Sequence, residues 1–407
     1  MATILAYTSP ALGHLLPLSA LLAELMARGH QIHIRTLADG VETAVAQGFS
    51  AASIDPRIEA IEMDDWRAAN PVSALRLSVS AFRRRAPYEV GDLRAAIAEV
   101  APDGLLVDVN CWGAQTAADA ADLPWASFSP YTPALDVEGV PPFGLGLRPV
   151  RGIVGRWRDA VVRAAVNRPL QRPAVAAINA IRAPLGVRPV ASLDDFLRRP
   201  PLLFLATGTP FQYTADWGSN VHMIGPCVPE PVAGEPPEWL SSIDRPIVLV
   251  TTSSERQNDA DLVSAAAAAL TDDPVHVVAT LPAGVTEGLV DRPRVTVRRF
   301  VDHDQVLARA VCAVTHGGMG GTQRALARGV PVCVVPYGRD QFEVARRAEV
   351  AGCGTRLPAR RLSVPRLRRK IHEAMTMGPG AARVAQGFRA TGGVARGADL
   401  FEELMER

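Results

Sequence analysis

The chain has 407 residues, 48% of them hydrophobic and 21% charged, enough apolar material for two or three packed cores and too much for a largely disordered chain. With 43 basic residues against 42 acidic ones and a net charge of +1, the molecule as a whole has no electrostatic basis for binding nucleic acid. The five cysteines, Cys111, Cys227, Cys312, Cys333 and Cys353, are scattered and never form a CxxC pair. No basic leader precedes the first apolar run, and no run reaches the ~18 residues that span a bilayer, so a reduced, cytoplasmic protein without a transmembrane segment is expected.

In chain order, an apolar run at 3–7 leads into a loop holding Gly13, then a helical repeat through Leu15, Leu18, Leu22 and Leu25 that stops at Arg28-Gly29. A second apolar run at 32–34 completes a strand-helix-strand unit of the kind that builds parallel sheets. The theme returns with a strand at 104–107, a helix over 113–121 and a strand at 125–128. Residues 136–200 loosen into Pro, Gly and Arg, with one helix predicted over 161–181. Ten arginines against three aspartates between 151 and 200 read as a solvated basic helix, or as a surface for acidic, amphiphilic or peripheral membrane contacts.

The proline-rich stretch 225–237 has the composition of a linker. Beyond it strands are predicted at 247–250, 275–279, 295–297, 311–314 and 332–335, with helices over 261–270, after Gly320, and over 341–350. The expected architecture is two successive α/β domains: an acceptor-side unit over 1–218, a linker over 219–244, a second unit over 245–385, and a C-terminal helix within 386–407 packing back on the first unit.

Ligands of open parallel sheets bind beyond the carboxyl ends of the strands, where loops and helix N-termini converge. That rule gathers His14, Asp108, residues 252–254, His316 and Asp340-Gln341 on strand ends that can face one cleft. The run His316-Gly317-Gly318-Met319-Gly320-Gly321-Thr322 allows close backbone approach and then opens a helix, so an anion such as a diphosphate suits it. A tight turn without ligand is the plainer alternative. Asp340 and Gln341, about one strand later, supply a carboxylate and an amide suited to vicinal hydroxyls. Taken alone, His14 reads as a loop or N-cap histidine and Asp108 as a strand-end cap. No HExxH or similar metal-ligand spacing occurs.

The glycine-rich run at 316–321, Ala-Leu-Ala-Arg-Gly-Val-Pro at 325–331 and the later Asp340-Gln341 make the region 300–354 resemble the signature of family 1 glycosyltransferases. The resemblance extends to Gly13-His14-Leu15-Leu16-Pro17-Leu18 and to 102–128, and is weak over 40–100 and 136–200. It implies the GT-B fold, two Rossmann-like domains facing across a cleft. It also implies transfer of a sugar from a UDP- or dTDP-sugar co-substrate to a small-molecule acceptor, with no metal and no other cofactor.

Position by position, the resemblance gives His316, Gly317 and Gly318 the donor diphosphate, with Gly320, Gly321, Thr322 and Ser254 adding to the grip. Phe300 would stack on the base and the Val301 backbone would read its edge, while Asp340 and Gln341 would hold the sugar. His14 would be the base that deprotonates the acceptor and Asp108 the carboxylate that orients it. A single displacement of this kind inverts the anomeric carbon. Trp66, Phe82, Trp112, Phe143 and Trp157 supply apolar surface for an aromatic or polyketide-like acceptor, or else belong to the core.

Two positions depart from the family pattern. Gly321 replaces the usual hydroxyl residue, and Arg324 replaces the glutamate that binds ribose and cannot accept those hydrogen bonds. Either the donor carries deoxyribose, as a thymidine diphosphate sugar does, or Arg324 faces solvent and another group reads the ribose. His303 stands near the expected base pocket. Competing readings are an inactive relative that binds a nucleotide sugar or activates a partner transferase, and an epimerase acting on the nucleotide sugar itself. A nicotinamide-dependent oxidoreductase is disfavoured, since no GxGxxG follows the first strand.

Overall fold

A computed structural model of the chain describes all residues except 69, 70, 229–233, 254–258, 260 and 283–290. The N-terminal unit is a parallel sheet of β1 (Thr3–Tyr7), β2 (Gln31–Thr36), β3 (Ser50–Ser53), β4 (Gly104–Asp108), β5 (Trp125–Ser129), β6 (Leu202–Leu205) and β7 (Val221–Met223). Their spatial order is β3-β2-β1-β4-β5-β6-β7, so the winding reverses between β1 and β4. The C-terminal unit holds β8 (Ile247–Thr251), β9 (His276–Thr280), β10 (Val295–Arg298), β11 (Ala310–Thr315), β12 (Val332–Val334) and β13 (Gly354–Arg356). Here the order is β10-β9-β8-β11-β12-β13, also parallel, with its reversal between β8 and β11. Each reversal splays the connecting loops apart and opens a crevice at the carboxyl ends of the strands.

Helices cover both faces of each sheet, so the central strands are apolar throughout rather than alternating. Every residue of β4, β5 and β8 is buried. The helix Leu12–Ala27 presses Leu15, Leu18, Leu21, Leu22 and Leu25 onto β1 and β2, the stripe that the leucine spacing predicts.

Several boundaries differ from the expectation. The first sheet runs to Met223, past residue 218, because the three-residue β7 pairs with the edge of β6. That leaves a shorter linker, part of which lies outside the described residues. The helix expected over 161–181 begins much earlier: Gly152–Val162, a π-helical turn at Arg163–Asn167, and Arg168–Arg182 follow one another directly. The chain ends in two helices that face opposite units. Gly378–Ala390 packs on the helix Met319–Ala327, whereas Gly393–Met405 returns to Leu12–Ala27, where Arg28 pairs with Asp399 at 2.7 Å and Glu402 at 2.8 Å. Among the described residues all five cysteines are buried and unbridged, and no helix is long and apolar enough to cross a membrane.

Candidate active site

β1 delivers the chain through Ser9 and Pro10 into the helix Leu12–Ala27, which puts His14 in that helix's first turn. Asp108 is the last residue of β4, the neighbour of β1 across the reversal of winding, and is fully buried. The two meet with Nδ1 of His14 2.6 Å from Oδ2 of Asp108. Facing a carboxylate, Nδ1 carries the proton, which makes Nε2 the nitrogen with the basic lone pair. The other oxygen, Oδ1, accepts the backbone N–H of Asn110 at 2.8 Å, so Asp108 is held from two directions.

Two residues not singled out by sequence complete this side. Asn110 places its Nδ2 3.4 Å from Nε2 of His14, and its Oδ1 accepts the Tyr131 hydroxyl at 2.6 Å. The Tyr131 ring stands edge-on to His14 with centroids 6.0 Å apart and lies 6.4 Å from the ring of Phe143. Burial, together with the charges of Asp108 and Asp340, pushes the Tyr131 hydroxyl up, so it stays a neutral donor.

Beneath the pair sits Glu89, buried in the long helix Pro71–Val100, with one oxygen accepting the N–H of Gly113 at 2.8 Å. Burial pushes its carboxyl up to about 8, against the opposing pull of that N–H and of Arg85, and the nearby Asp108 charge pushes the same way. At neutral pH a mostly protonated Glu89 spares the buried Asp108 a second negative charge.

Across the cleft, β11 ends at Thr315 and the chain turns through His316, Gly317 and Gly318 into the helix Met319–Ala327. Gly317 has a φ of +96°, a conformation open to glycine. A Cβ on Gly318 would collide with the His316 imidazole, Nε2 first, so that ring sits close against the glycine. The N-cap is Gly318 itself, which has no side chain to cap the helix, so among the described residues the first N–H groups and the positive end of the helix follow directly on the glycine turn. Gly320 has open space where a Cβ would point, and a Cβ on Gly321 would meet only the Thr251 hydroxyl at 3.4 Å.

The remaining expected donor residues fall into distinct places. Thr322 is fully buried, its hydroxyl 2.9 Å from that of Thr315 and its N–H bonded to Gly318, so it braces the turn from behind rather than reaching the cleft. Gln341 is also buried, and its Oε1 accepts the N–H groups of Tyr337 at 2.7 Å and Gly338 at 3.0 Å. That oxygen shapes the loop carrying Asp340 instead of facing a sugar. Asp340 itself is pushed up to about 6 by burial, partly offset by the charges of Arg339 and His14. Ser254 lies outside the described residues.

Phe300 is 63% exposed with Arg299 over its ring, and Val301 packs inward on the core. His303 bonds Thr280 at 3.1 Å and is driven down to about 4 by burial and by the Arg324 guanidinium. Arg324, in the helix Met319–Ala327, is half-buried.

The acceptor-side aromatics divide. Trp112 is 4% exposed, with its ring 5.3 Å from Phe82 and 6.3 Å from Phe196, so it belongs to the core. Phe82 is half-buried at the edge of that cluster, and Phe143 is half-buried beside Tyr131. Trp66 is half-buried under the Arg67 guanidinium, next to Asp65, which pairs across the cleft with Arg339 at 2.7 Å. Trp157 is on the outer surface, 71% exposed. Among the described residues no cluster of His, Cys, Asp or Glu has the arrangement of a metal site.

Residues 258–392 match the family described as erythromycin biosynthesis protein CIII-like, C-terminal domain. Over its full length the chain is similar to 4'-demethylrebeccamycin synthase of Lentzea aerocolonigenes, with 29% identity covering 99% of this chain and 100% of the relative. It is 26% identical to demethyllactenocin mycarosyltransferase of Streptomyces fradiae, covering 100% of this chain and 87% of that one. Among solved structures, the glycotransferase of kitacinnamycin superposes with a TM-score of 0.77 at 24% identity over 99% of both chains. The spinosyn rhamnosyltransferase solved with thymidine diphosphate gives 0.74 at 19% identity, covering 98% of this chain and 100% of that one.

Proposed function

Because this chain belongs to the family 1 GT-B glycosyltransferases of the natural-product type, we propose that it moves a sugar from a nucleoside diphosphate donor to a hydroxyl of a small aromatic or polyketide-like acceptor, inverting the anomeric carbon. The observation that carries this reading is the 2.6 Å contact of His14 with Asp108, together with the glycine turn that opens the helix Met319–Ala327 at Gly318.

In the proposed reaction Nε2 of His14 takes the acceptor hydroxyl proton while that oxygen bonds to the anomeric carbon. The bond from that carbon to the diphosphate oxygen breaks in the same step. Asp108 stabilises the imidazolium that forms. His316, the Gly317-Gly318 backbone and the helix N-terminus hold the departing diphosphate, and no metal is needed for that charge. Asp340 holds sugar hydroxyls, and Phe300 stacks on the base.

Arg324 beside His303 favours a donor whose ribose needs no carboxylate partner, hence a thymidine diphosphate sugar. The spinosyn rhamnosyltransferase of the same fold, solved with thymidine diphosphate, supports that choice.

The test is acceptor-dependent release of nucleoside diphosphate from thymidine and uridine diphosphate sugars, with His14→Ala alongside. The expected outcome is release only with acceptor, preference for thymidine donors, and a kcat for His14→Ala lowered roughly 10²–10⁴-fold with donor binding intact. Near-normal transfer by His14→Ala would remove the base. A uridine preference would remove the deoxyribose argument alone.

A further inference from the structure

The helix Gly152–Val162 lies on the outside of the N-terminal unit, and its buried side is narrow, consisting of Gly155 and Asp159. Its outer side is apolar where solvent would favour polar residues. Ile153 is 77% exposed, Val154 74%, Trp157 71% and Val161 44%. Spacings of three, four and eight residues from Ile153 and Val154 put Trp157 and Val161 on one stripe of the helix. Val150, just before it, is exposed as well. A tryptophan left this open on a single convex helix has no packing reason to be there.

The charges around the stripe have one sign. Arg151, Arg156, Arg168 and Arg172 are exposed, and between residues 150 and 193 the sole acidic side chain is Asp159, which is buried against Arg158 at 2.6 Å. Glu138 reaches Arg156 at 3.6 Å, but both side chains are largely in water, so this contact neutralises little. Positive charge flanking an apolar stripe with an exposed tryptophan is complementary to anionic headgroups over an acyl layer. A protein partner would need an acidic rim around an apolar groove shaped to a convex helix, and nothing in this chain's near-neutral surface points to one.

We propose that this face docks on an anionic lipid bilayer, with Ile153, Val154 and Trp157 in the boundary between headgroups and acyl chains and the four arginines on lipid phosphates. The helix lies in the plane of the surface and does not enter the hydrocarbon. Such binding is reversible and weakens with salt, since the arginines act through a solvent-exposed layer. It is independent of the sugar-transfer reading, because none of these residues is in the cleft.

The test is flotation of the full chain with vesicles of phosphatidylcholine alone and of mixed phosphatidylcholine and phosphatidylglycerol, at low and high salt. Wild type is expected to float only with the mixed vesicles and to be released by salt. Trp157→Ala should lower the partition coefficient roughly ten-fold, and each of Arg168→Gln and Arg172→Gln roughly five-fold. All three positions are exposed, so unchanged thermal melts will certify the fold. Failure of the wild type to float with the mixed vesicles overturns the proposal, as does equal binding by the variants. Sedimentation without lipid adds a third outcome: a dimer dispersed by Trp157→Ala would assign the face to a second copy of the chain and end the lipid reading.

Discussion

Asn110 touches three groups of the site: its backbone N–H donates to the carboxylate of Asp108, its Nδ2 approaches Nε2 of His14, and its Oδ1 accepts the Tyr131 hydroxyl. Because Tyr131 donates to its Oδ1, the amide is oriented with Nδ2 toward the imidazole, where an acceptor oxygen would have to arrive. Asn110→Ala is expected to raise the acceptor KM and to cut kcat roughly ten- to hundred-fold, and Tyr131→Phe to do the same more mildly. Steady-state kinetics that leave both constants unchanged would remove Asn110 from the site. Local pattern in the sequence sets His14 beyond β1 and Asp108 at the end of β4, while their pairing as base and carboxylate comes from the family resemblance. Asn110 is not singled out, since neither the motif nor the strand-end pattern marks it and its contacts with His14 and Tyr131 emerge only in the folded chain.

Glu89 makes a pH prediction at the same scale. Its folded-state value near 8 lies above the ordinary 4.5, so between those values the folded chain retains a proton that the unfolded chain has released. The associated stability is present at low pH and is lost as pH rises through that window. Glu89→Gln keeps an acceptor for the Gly113 N–H and cannot ionise. Its melting temperature relative to wild type should therefore rise as pH is raised from about 5 to about 8. A constant difference over that range would show that Glu89 is already ionised.

Among the elements, the turn between β11 and the helix Met319–Ala327 combines two needs, a left-handed Gly317 and a Gly318 with no side chain against the His316 ring. Gly318→Ala pushes that ring out of place, and donor affinity measured by calorimetry should fall roughly ten-fold or more, the equivalent of modest overpacking. An unchanged affinity would mean that His316 does not hold the donor.

The strands that sequence reading found are those with continuous branched apolar runs, such as β8 and β11. Those it passed over are β3, β6, β7 and β13. β3 is Ser-Ala-Ala-Ser, and β7 and β13 are three-residue edges, so none carries a periodic signal. β6, Leu-Leu-Phe-Leu, has the apolarity but sits between prolines and glycine, where a loop reading was equally natural. Thr322 and Gln341 show the matching limit for the site. Motif position puts them at the donor, and packing adds that the Thr322 hydroxyl and the Gln341 Oε1 brace Thr315 and the 337–338 loop.

At the scale of the whole molecule, the helix Gln341–Val350 belongs to one unit and is bonded into the other. Glu343 accepts the N–H groups of Gly144 at 3.0 Å and Gly146 at 2.8 Å and pairs with the buried Arg347 at 2.8 Å, which in turn reaches Gln212 at 2.8 Å. Glu343→Ala strands the Arg347 charge and both amides, with an expected loss of about 3–5 kcal/mol in denaturant unfolding. A loss under about 1 kcal/mol would show that the two units do not rely on this contact.

Glu343 follows Asp340, the proposed sugar contact, by less than one helical turn, and Gly144 adjoins Phe143 on the acceptor side. Recombining front and back halves from related sequences is an obvious route to new donor and acceptor pairings. A crossover placed in the proline-rich linker would separate Gly144, Gly146 and Gln212 from Glu343 and Arg347. A hybrid that inherits the carboxylate from one parent and a bulky or misplaced 144–146 loop from the other would fail at the seam, whatever the quality of either pocket.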